Sequence, residues 1–496
     1  MKILSAKQVR ETDAYTIQHE PIASIDLMER ASVAFVNWFS KVFDSTKSVA
    51  VVCGTGNNGG DGLAVSRILI GLGYQVSTFV TGTSGTDDFQ INYDLLMRKI
   101  PIVDLTNEEV EFNQDILIDA LFGSGLSRSP EGIFGQVINK INHSNGITIS
   151  IDIASGLYSD EASLHDNIVR PDYTISFQFP KLSMMLAENA DYTGSIEIVD
   201  IGLDKEFIKR EITSHHYVTA EFLRHLIQPR SRHAHKGNFG RGGLVVGSYG
   251  KMGAAVLASR AYMRAGAGLL TVFCPKSGNQ ILQTSVPEAM TVSVGEDQIS
   301  GEVPIPSDFD AIGVGPGIGT SDETGKTLGM LLKSAESPVV LDADALNLIS
   351  KNRELMGLIP DHSILTPHPK EFERLFGSSS SDFLTLTQLS AASKRLNSYI
   401  VLKGAYTATS NPEGSIYFNS TGNPGMATGG SGDVLTGIIT SLLAQGQTPF
   451  HSAILGVYLH GLAGDLSKSH LGEIGVIASD LITYLPDAFQ RLSKEK

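Results

Sequence analysis

Two cysteines in 496 residues exclude a disulfide framework and a thiolate metal cluster. Cys53 and Cys274 lie in apolar, strand-like runs, VAVVCG and LLTVFCP, and are expected to be buried, inert thiols in a reducing compartment. Positive charge is scarce as well. Lys and Arg number 38 against 53 Asp and Glu, and a formal charge of -15 excludes general affinity for nucleic acid. No segment approaches the roughly 20 apolar residues of a membrane span. The opening MKILSAKQVRETDAYT lacks the apolar core of a signal peptide. The expectation is a cytoplasmic protein that handles a small molecule, with neither nucleic acid nor membrane as partner. What the chain does have is glycine, 51 residues of it, and enough length for two or three domains.

Over the first 215 residues or so, LSAKQVRETDAYTIQHEPIASIDLMERASVAFVNWFS predicts a helix, a break at Pro21 and an amphipathic helix carrying Met28, Val33, Val36 and Trp38. SVAVVCGTG predicts a strand entering a loop, GLAVSRILIGLG a helix and QVSTFVTG a strand. DILIDALFGSG and GITISIDIASGL add strands that end in small-residue turns. Continuous apolar strands alternating with helices indicate a parallel sheet covered on both faces. Ligands on such sheets sit at the carboxyl ends of the strands. Three polar clusters fall there: Gly54-Thr-Gly-Asn-Asn-Gly-Gly-Asp-Gly62, Asp119-Ala-Leu-Phe-Gly-Ser-Gly-Leu-Ser-Arg128 and Asp152-Ile-Ala-Ser-Gly156. The first satisfies G-x-G-x-x-G, but the next strand ends without the acidic residue that would hold a ribose, so a dinucleotide fingerprint is not indicated. Each cluster alone reads as turn chemistry; three at successive strand ends indicate a shared pocket.

The chain turns polar after VDIGLD, and the domain boundary is placed between 215 and 225, giving domains 1–218 and 219–496. His215-His216 and His233-x-His235 lack further ligands at metal spacing and are expected to be exposed loop histidines. A second α/β pattern follows, with candidate strands GGLVVGS, GLLTVFCP, FDAIGVGPG, PVVLDADAL, HSILTPHP and YIVLKGAYTATS. Gly319-TSDET-Gly-Lys-Thr327 has one residue too many for a P-loop and is taken as a helix entry. The organising stretch is Asn423-Pro-Gly-Met-Ala-Thr-Gly-Gly-Ser-Gly-Asp433, followed by VLTGIITSLLAQG. A glycine-rich loop opening a helix presents unpaired N–H groups and the positive end of the helix dipole to an anion. Asp433 stands where the helix begins, as a cap or as a base.

The motifs NNGGDG, DALFGSGLSR and DIASG resemble the epimerase domain of the NAD(P)H-hydrate repair enzymes, across essentially all of residues 1 to 215. Ala154 stands where that family usually has Pro. The resemblance implies a Rossmann-like three-layer α/β/α domain in which Asn58, Asp119 and Ser155 help bind potassium. It implies that Asn57, Asn58, Gly59, Gly60 and Asp61 contact the hydrated nucleotide, together with Gly123, Ser124, Gly125, Leu126, Ser127 and Arg128. Asp152 joins them as the candidate acid/base group.

The second half resembles the ribokinase-like superfamily, also an α/β/α fold. The set GVGPGIG, LDADALN, TPHPKE, LKGA and NPGMATGGSGD resembles its NAD(P)H-hydrate dehydratase branch. By this resemblance Lys403, Gly404, Ala405, Tyr406 and Thr407 hold ADP. So do Asn423, Pro424, Gly425, Met426, Ala427, Thr428, Gly429, Gly430, Ser431 and Gly432. Ala255, Gly317, His368, Pro369, Lys370, Glu371, Phe372, Glu373 and Arg374 contact the hydrated nucleotide, and Asp433 is the base. ADP is the implied phosphoryl donor, with magnesium, and a homo-oligomer is implied. The expected activity is repair of hydrated NADH and NADPH: one domain interconverts the R and S forms, the other dehydrates the S form at the expense of ADP. The alternative is a vitamin or sugar kinase carrying a non-catalytic nucleotide-binding scaffold.

Overall fold

The structure, a computed structural model, describes residues 1–494. It divides into two compact units. One comprises residues 2–215 with 381–383, the other residue 1, 216–380 and 384–496.

The first unit runs α1 (Ala6–His19), α2 (Ser24–Val42), β1 (Ser48–Cys53), α3 (Asn57–Gly71), β2 (Gln75–Val80), α4 (Asp87–Met97), β3 (Ile102–Asp104) and β4 (Ile116–Ala120). It continues with α5 (Ile133–Asn142), β5 (Ile147–Ile151), β6 (Tyr173–Phe177), β7 (Ser195–Val199) and α6 (Lys205–Arg210). Among the described residues its sheet has the order β3-β2-β1-β4-β5-β6-β7, parallel throughout. β4 is buried at every position, and β1 and β5 at every position but the first. Hence their sequences read as unbroken apolar runs rather than alternating ones. α1 begins with a capping box, Ser5 accepting from the Gln8 N–H while Gln8 Oε1 accepts from the Ser5 N–H.

The second unit begins with β8 (His215–Val218), α7 (Ala220–Leu223), β9 (Arg241–Val245), α8 (Met252–Arg264), β10 (Leu269–Cys274), α9 (Asn279–Ser285), β11 (Met290–Ser293) and β12 (Ala311–Val314). Then come α10 (Asp322–Ser334), β13 (Val339–Leu341), α11 (Ala343–Lys351), β14 (Ile364–Leu365), α12 (Pro369–Phe376), α13 (Asp382–Leu396), β15 (Tyr399–Leu402), β16 (Ala408–Ser410) and β17 (Ile416–Asn419). The helices α14 (Ser431–Ala444), α15 (Pro449–Leu471) and α16 (Ala478–Lys494) complete it. The sheet order is β11-β10-β9-β12-β13-β14-β15-β16-β17-β8, parallel from β11 to β15 and antiparallel through β15-β16-β17. Among the described residues no helix is long and apolar enough to cross a membrane.

One expectation fails here. His215 and His216 are not exposed loop residues: they open β8 and are half-buried, and the His216 ring stacks on Tyr417 at 4.6 Å. An imidazole has apolar faces, and at a sheet edge it serves as a packing surface. His233 and His235 are exposed, as expected.

α14 is buried from Val434 to Ala444. It lies so close to α8 that a Cβ on Gly437 would fall 2.2 Å from the Ala258 carbonyl oxygen. In an open helix Gly→Ala gains about 1 kcal/mol; here the backbone contact reverses the sign. Gly437→Ala is expected to lower stability by about 2 kcal/mol, read as a lower denaturant midpoint at unchanged m-value.

Candidate functional site

In the first unit the strand order reverses between β1 and β4, and that switch point is where open α/β sheets leave a crevice. The three polar clusters follow β1, β4 and β5, which are neighbours in the sheet. The loop after β1 is a close backbone packing: a Cβ on Gly54 would lie 2.0 Å from the Leu121 carbonyl oxygen. Asn57, Asn58, Gly59, Gly60 and Asp61 then form the first turns of α3. Asn58 is buried, and its side chain lies against Gly123. Its amide donates to the Ile151 carbonyl at 2.9 Å, while its buried Oδ1 has no hydrogen-bond partner among the described residues.

Asp119 is wholly buried and works as a hub. It accepts from Ser155 Oγ (2.6 Å), the Ser155 N–H (2.9 Å), Ser150 Oγ (2.8 Å) and the Leu121 N–H (3.3 Å). Burial pushes its pKa up against the opposing pull of these bonds. Among the described residues no cation pairs with it. Gly125, Ser127 and Arg128 are exposed on the loop after β4, with Ser124 and Leu126 half-buried.

Asp152 adopts φ +68°, a left-handed conformation that is uncommon for a residue with a side chain. Its Oδ1 accepts from the Phe177 N–H (3.1 Å) and from Lys181 Nζ (2.5 Å). Lys181 is 1 % exposed and also donates to Ser176 Oγ and the Phe179 carbonyl. Two carboxylates face Asp152. Burial, then the charge of Asp152, raises the Asp13 pKa to about 6, with Lys181 opposing. Asp61 is raised well above the usual range by burial, then by Asp152 and Asp13. Sequence reasoning did not single out Asp13 or Lys181. The available signal for Lys181 was a lone lysine just past an apolar strand in SFQFPKL; Asp13 looked like one of many polar residues on an amphipathic helix.

In the second unit the strand order reverses between β9 and β12. The polar strand ends lie after β12, β13, β14 and β15, again neighbours, and α14 begins beside them. Asp342 is 1 % exposed. It accepts from Lys403 Nζ at 2.8 Å and from Thr436 Oγ at 2.7 Å, tying β13, β15 and α14 together. A Cβ on Gly432 would stand 3.4 Å from Lys403 Nζ and 3.8 Å from Asp342 Oδ2, so this ion pair borders the glycine loop.

Gly430, left-handed at φ +94°, is the N-cap of α14, and Asp433 is its third residue. The N–H groups of Gly429, Gly430, Gly432 and Asp433 have no acceptor among the described residues. Among the described residues the Asp433 carboxylate accepts no hydrogen bond, so it is not spent on capping the helix. Burial, then the nearby Asp342 charge, raises its pKa to about 6, opposed by Lys403. His460 on α15, absent from the sequence reading, is buried with Nε2 3.0 Å from the Ser431 carbonyl oxygen. Burial lowers its pKa to about 4. The neutral ring holds the first turn of α14 in place by donating to that carbonyl.

Around this centre, His368 caps α12 through Nδ1, and Glu371 accepts from the His368 N–H at 2.9 Å. Pro369 and Lys370 are exposed beside them. Arg374 donates to Asn347 Oδ1 at 2.7 Å. Phe372 points into the core and Glu373 into solvent, so the run 368–374 presents only part of itself to the site. Ala255 is buried in α8, one residue from Ala254, against which Gly317 packs. Asn423 is braced by Asp465 at 2.9 Å and accepts from the Gly425 N–H. Pro424–Met426 is a 3-10 turn, with Ala427 and Thr428 following it, and Gly404, Ala405, Tyr406 and Thr407 turn between β15 and β16.

The raised pKa of Asp433 has a thermodynamic consequence. The folded state binds this proton more tightly than the unfolded chain does, so stability falls as pH rises from about 4 through about 6. Asp433→Asn mimics the neutral acid. It is expected to match the parent near pH 4 and to exceed it at pH 8 by on the order of 2 kcal/mol, as measured by denaturant unfolding at both pH values.

Residues 243–487 match the family model described as NAD(P)H-hydrate dehydratase, and residues 24–183 the one described as YjeF-related protein N-terminus. A bifunctional NAD(P)H-hydrate repair enzyme from Moorella thermoacetica is 33% identical, over 100% of this chain and 98% of that protein. Its counterpart from Escherichia coli is 31% identical over 93% of this chain and 88% of that protein. A crystal structure of a ribokinase-like superfamily protein from Enterococcus faecalis is 29% identical, with a TM-score of 0.50, covering 57% of this chain and 99% of that one. With both domain types present and full-length similarity above 30%, the chain belongs to the bifunctional NAD(P)H-hydrate repair enzyme family.

Proposed function

We propose that the first unit interconverts the R and S forms of hydrated NADH and NADPH, and that the second dehydrates the S form at the expense of ADP. The observation that carries the reading is the start of α14. A carboxylate with a pKa of about 6, unused in capping, stands beside four unpaired N–H groups and the Lys403 ammonium.

The hydrated ring carries a hydroxyl on C6, and hydroxide is a poor leaving group. Asp433 takes the hydroxyl proton as general base while the oxygen attacks the terminal phosphoryl of ADP, whose bridging P–O bond breaks to release AMP. The N–H groups from Gly429 to Asp433 hold the charge on the phosphoryl as it transfers. Lys403, held at the edge of the glycine loop by Asp342, adds a positive charge beside the phosphates. The ring nitrogen then expels phosphate from C6, and the iminium so formed gives up a C5 proton to the departing phosphate, which restores the 5,6 double bond of the reduced coenzyme. Lys403 to Thr407 and Asn423 to Gly432 hold the donor; Ala255, Gly317 and the His368 turn hold the hydrated nucleotide.

Among the described residues no group of three His, Cys, Asp or Glu could hold a metal by itself. That suits magnesium arriving on the donor's phosphates, where it neutralises charge. In the first unit the unpartnered Asn58 Oδ1 and the uncompensated Asp119 fit potassium, with Ser155 beside them. When bound, the ion supplies positive charge to a buried carboxylate. Asn57 to Asp61, Gly123 to Arg128 and Asp152 hold the nucleotide there.

The test supplies mixed epimers of NADH hydrate with ADP and magnesium and follows the return of absorbance from the reduced ring. The parent chain is expected to convert the whole mixture, Asp433→Asn none of it. Asp152→Asn is expected to stall when the S form is exhausted, under conditions where spontaneous epimerisation is slow. Stable accumulation of a phosphorylated product would instead favour a kinase.

A further inference from the structure

Helix α1 lies outside the stretch matched by the N-terminal family model, which starts at residue 24. It nevertheless reaches the site. Arg10 Nη1 stands 3.3 Å from where a Cβ on Gly125 would be, against the loop after β4. Asp13 is three residues on, and residues i and i+3 share a helix face. The Asp13 carboxylate is half-buried and has no hydrogen bond or ion pair among the described residues. The groups facing it are Asp152 after β5, Lys181 after β6 and Asp61 on α3.

Asp152 is divided in its use. Oδ1 is anchored by Lys181 and the Phe177 N–H, while Oδ2 has no partner among the described residues. Removing the ammonium would leave a largely buried carboxylate uncompensated. Lys181 is too deep to reach a substrate, so it acts through Asp152. Asn58 Oδ1, more than nine-tenths buried and unpartnered, shows independently that this end of the sheet awaits a ligand.

We propose that epimerisation uses two carboxylates on either side of the substrate: Asp152, held in place as the base by Lys181, and Asp13 of α1 as the proton donor. This rests on the epimerase reading of the first unit and adds its second proton carrier. The base takes the proton of the C6 hydroxyl, and the O–H electron pair becomes the second bond of a C6 carbonyl. The C6–N1 bond breaks with its electrons going to N1, and Asp13 delivers its proton there. Rotation about C5–C6 turns the other carbonyl face toward N1. Reversal of each step then closes the ring, returns the N1 proton to Asp13 and returns the Asp152 proton to the oxygen. Nothing is gained or lost, and no co-reactant is needed. Burial and the Asp152 charge keep Asp13 protonated to a useful extent, with a pKa of about 6.

The experiment uses the full chain with separated R and S forms of NADH hydrate, without ADP, following interconversion by chromatography over pH 5 to 9 against an enzyme-free blank. For the parent, the rate is expected to fall as pH rises through about 6. Asp13→Asn is expected to lose roughly 100-fold in kcat with KM little changed, and its residual rate to lose that fall; Asp13→Glu restores part of both. Lys181→Met, which frees the Asp152 carboxylate from its anchor, is expected to lower kcat with KM little changed. ADP-driven dehydration of the S form by the same preparations is the control for folding and should be unchanged. An Asp13→Asn chain with the parent's rate or the parent's alkaline fall would overturn the proposal. A parent that does not interconvert the forms at all would overturn the epimerase reading itself.

Discussion

Both units depend on one constraint: a buried carboxylate must be held next to the positive end of something. Around α14 the holders are Lys403 and Thr436, which satisfy Asp342 and set a local charge balance. Asp433 then feels a carboxylate and an ammonium together, and burial decides the outcome in favour of a protonatable base. Without the Asp342–Lys403 pair the glycine loop would still present its N–H groups, but nothing would place a cation at their edge. In the first unit Lys181 does for Asp152 what Lys403 does for Asp342, from a lysine likewise placed just past a strand of the parallel sheet.

This recurrence follows from the architecture. Parallel strands end together on one edge, and the residue just past each end is held rigidly while its side chain is free to be polar. Glycines permit the loops to pack backbone against backbone, as Gly54 does against Leu121. The crevice at each strand-order reversal therefore collects polar side chains from several strand ends.

What was legible in the sequence follows from the same geometry. GTGNNGGDG, DALFGSG, DIASG, LDADALN, TPHPKE and GGSGD are local in sequence because a strand end and its turn are local in space. Their juxtaposition needed only the parallel-sheet reading. Asp13, Lys181 and His460 were not legible for the opposite reason. Each acts across the fold, from a helix or turn whose pattern is set by packing: Asp13 shares α1 with the buried Thr12 and Thr16, and His460 sits inside the apolar run of α15. His215 and His216 failed for a third reason. An edge strand of four residues offers too few positions for a periodic signal, so its histidines read as loop.

The sites also oppose the stability of the fold that holds them. Asp152 is kept at a positive φ, and Asp13, Asp61 and Asp433 are kept where burial disfavours their charge. A neutral side chain would relieve the burial of charge at Asp13, Asp61 and Asp433, yet Asp13 and Asp433, with pKa values of about 6, retain groups able to exchange a proton near neutral pH. A scaffold that only bound nucleotides would gain nothing from that arrangement. The dense apolar packing behind the strand ends, from β1, β4 and β5 in one unit to the fully buried α14 in the other, offsets it. Buried carboxylates of raised pKa at both crevices argue for proton transfer in both units, not for chemistry in one and passive binding in the other.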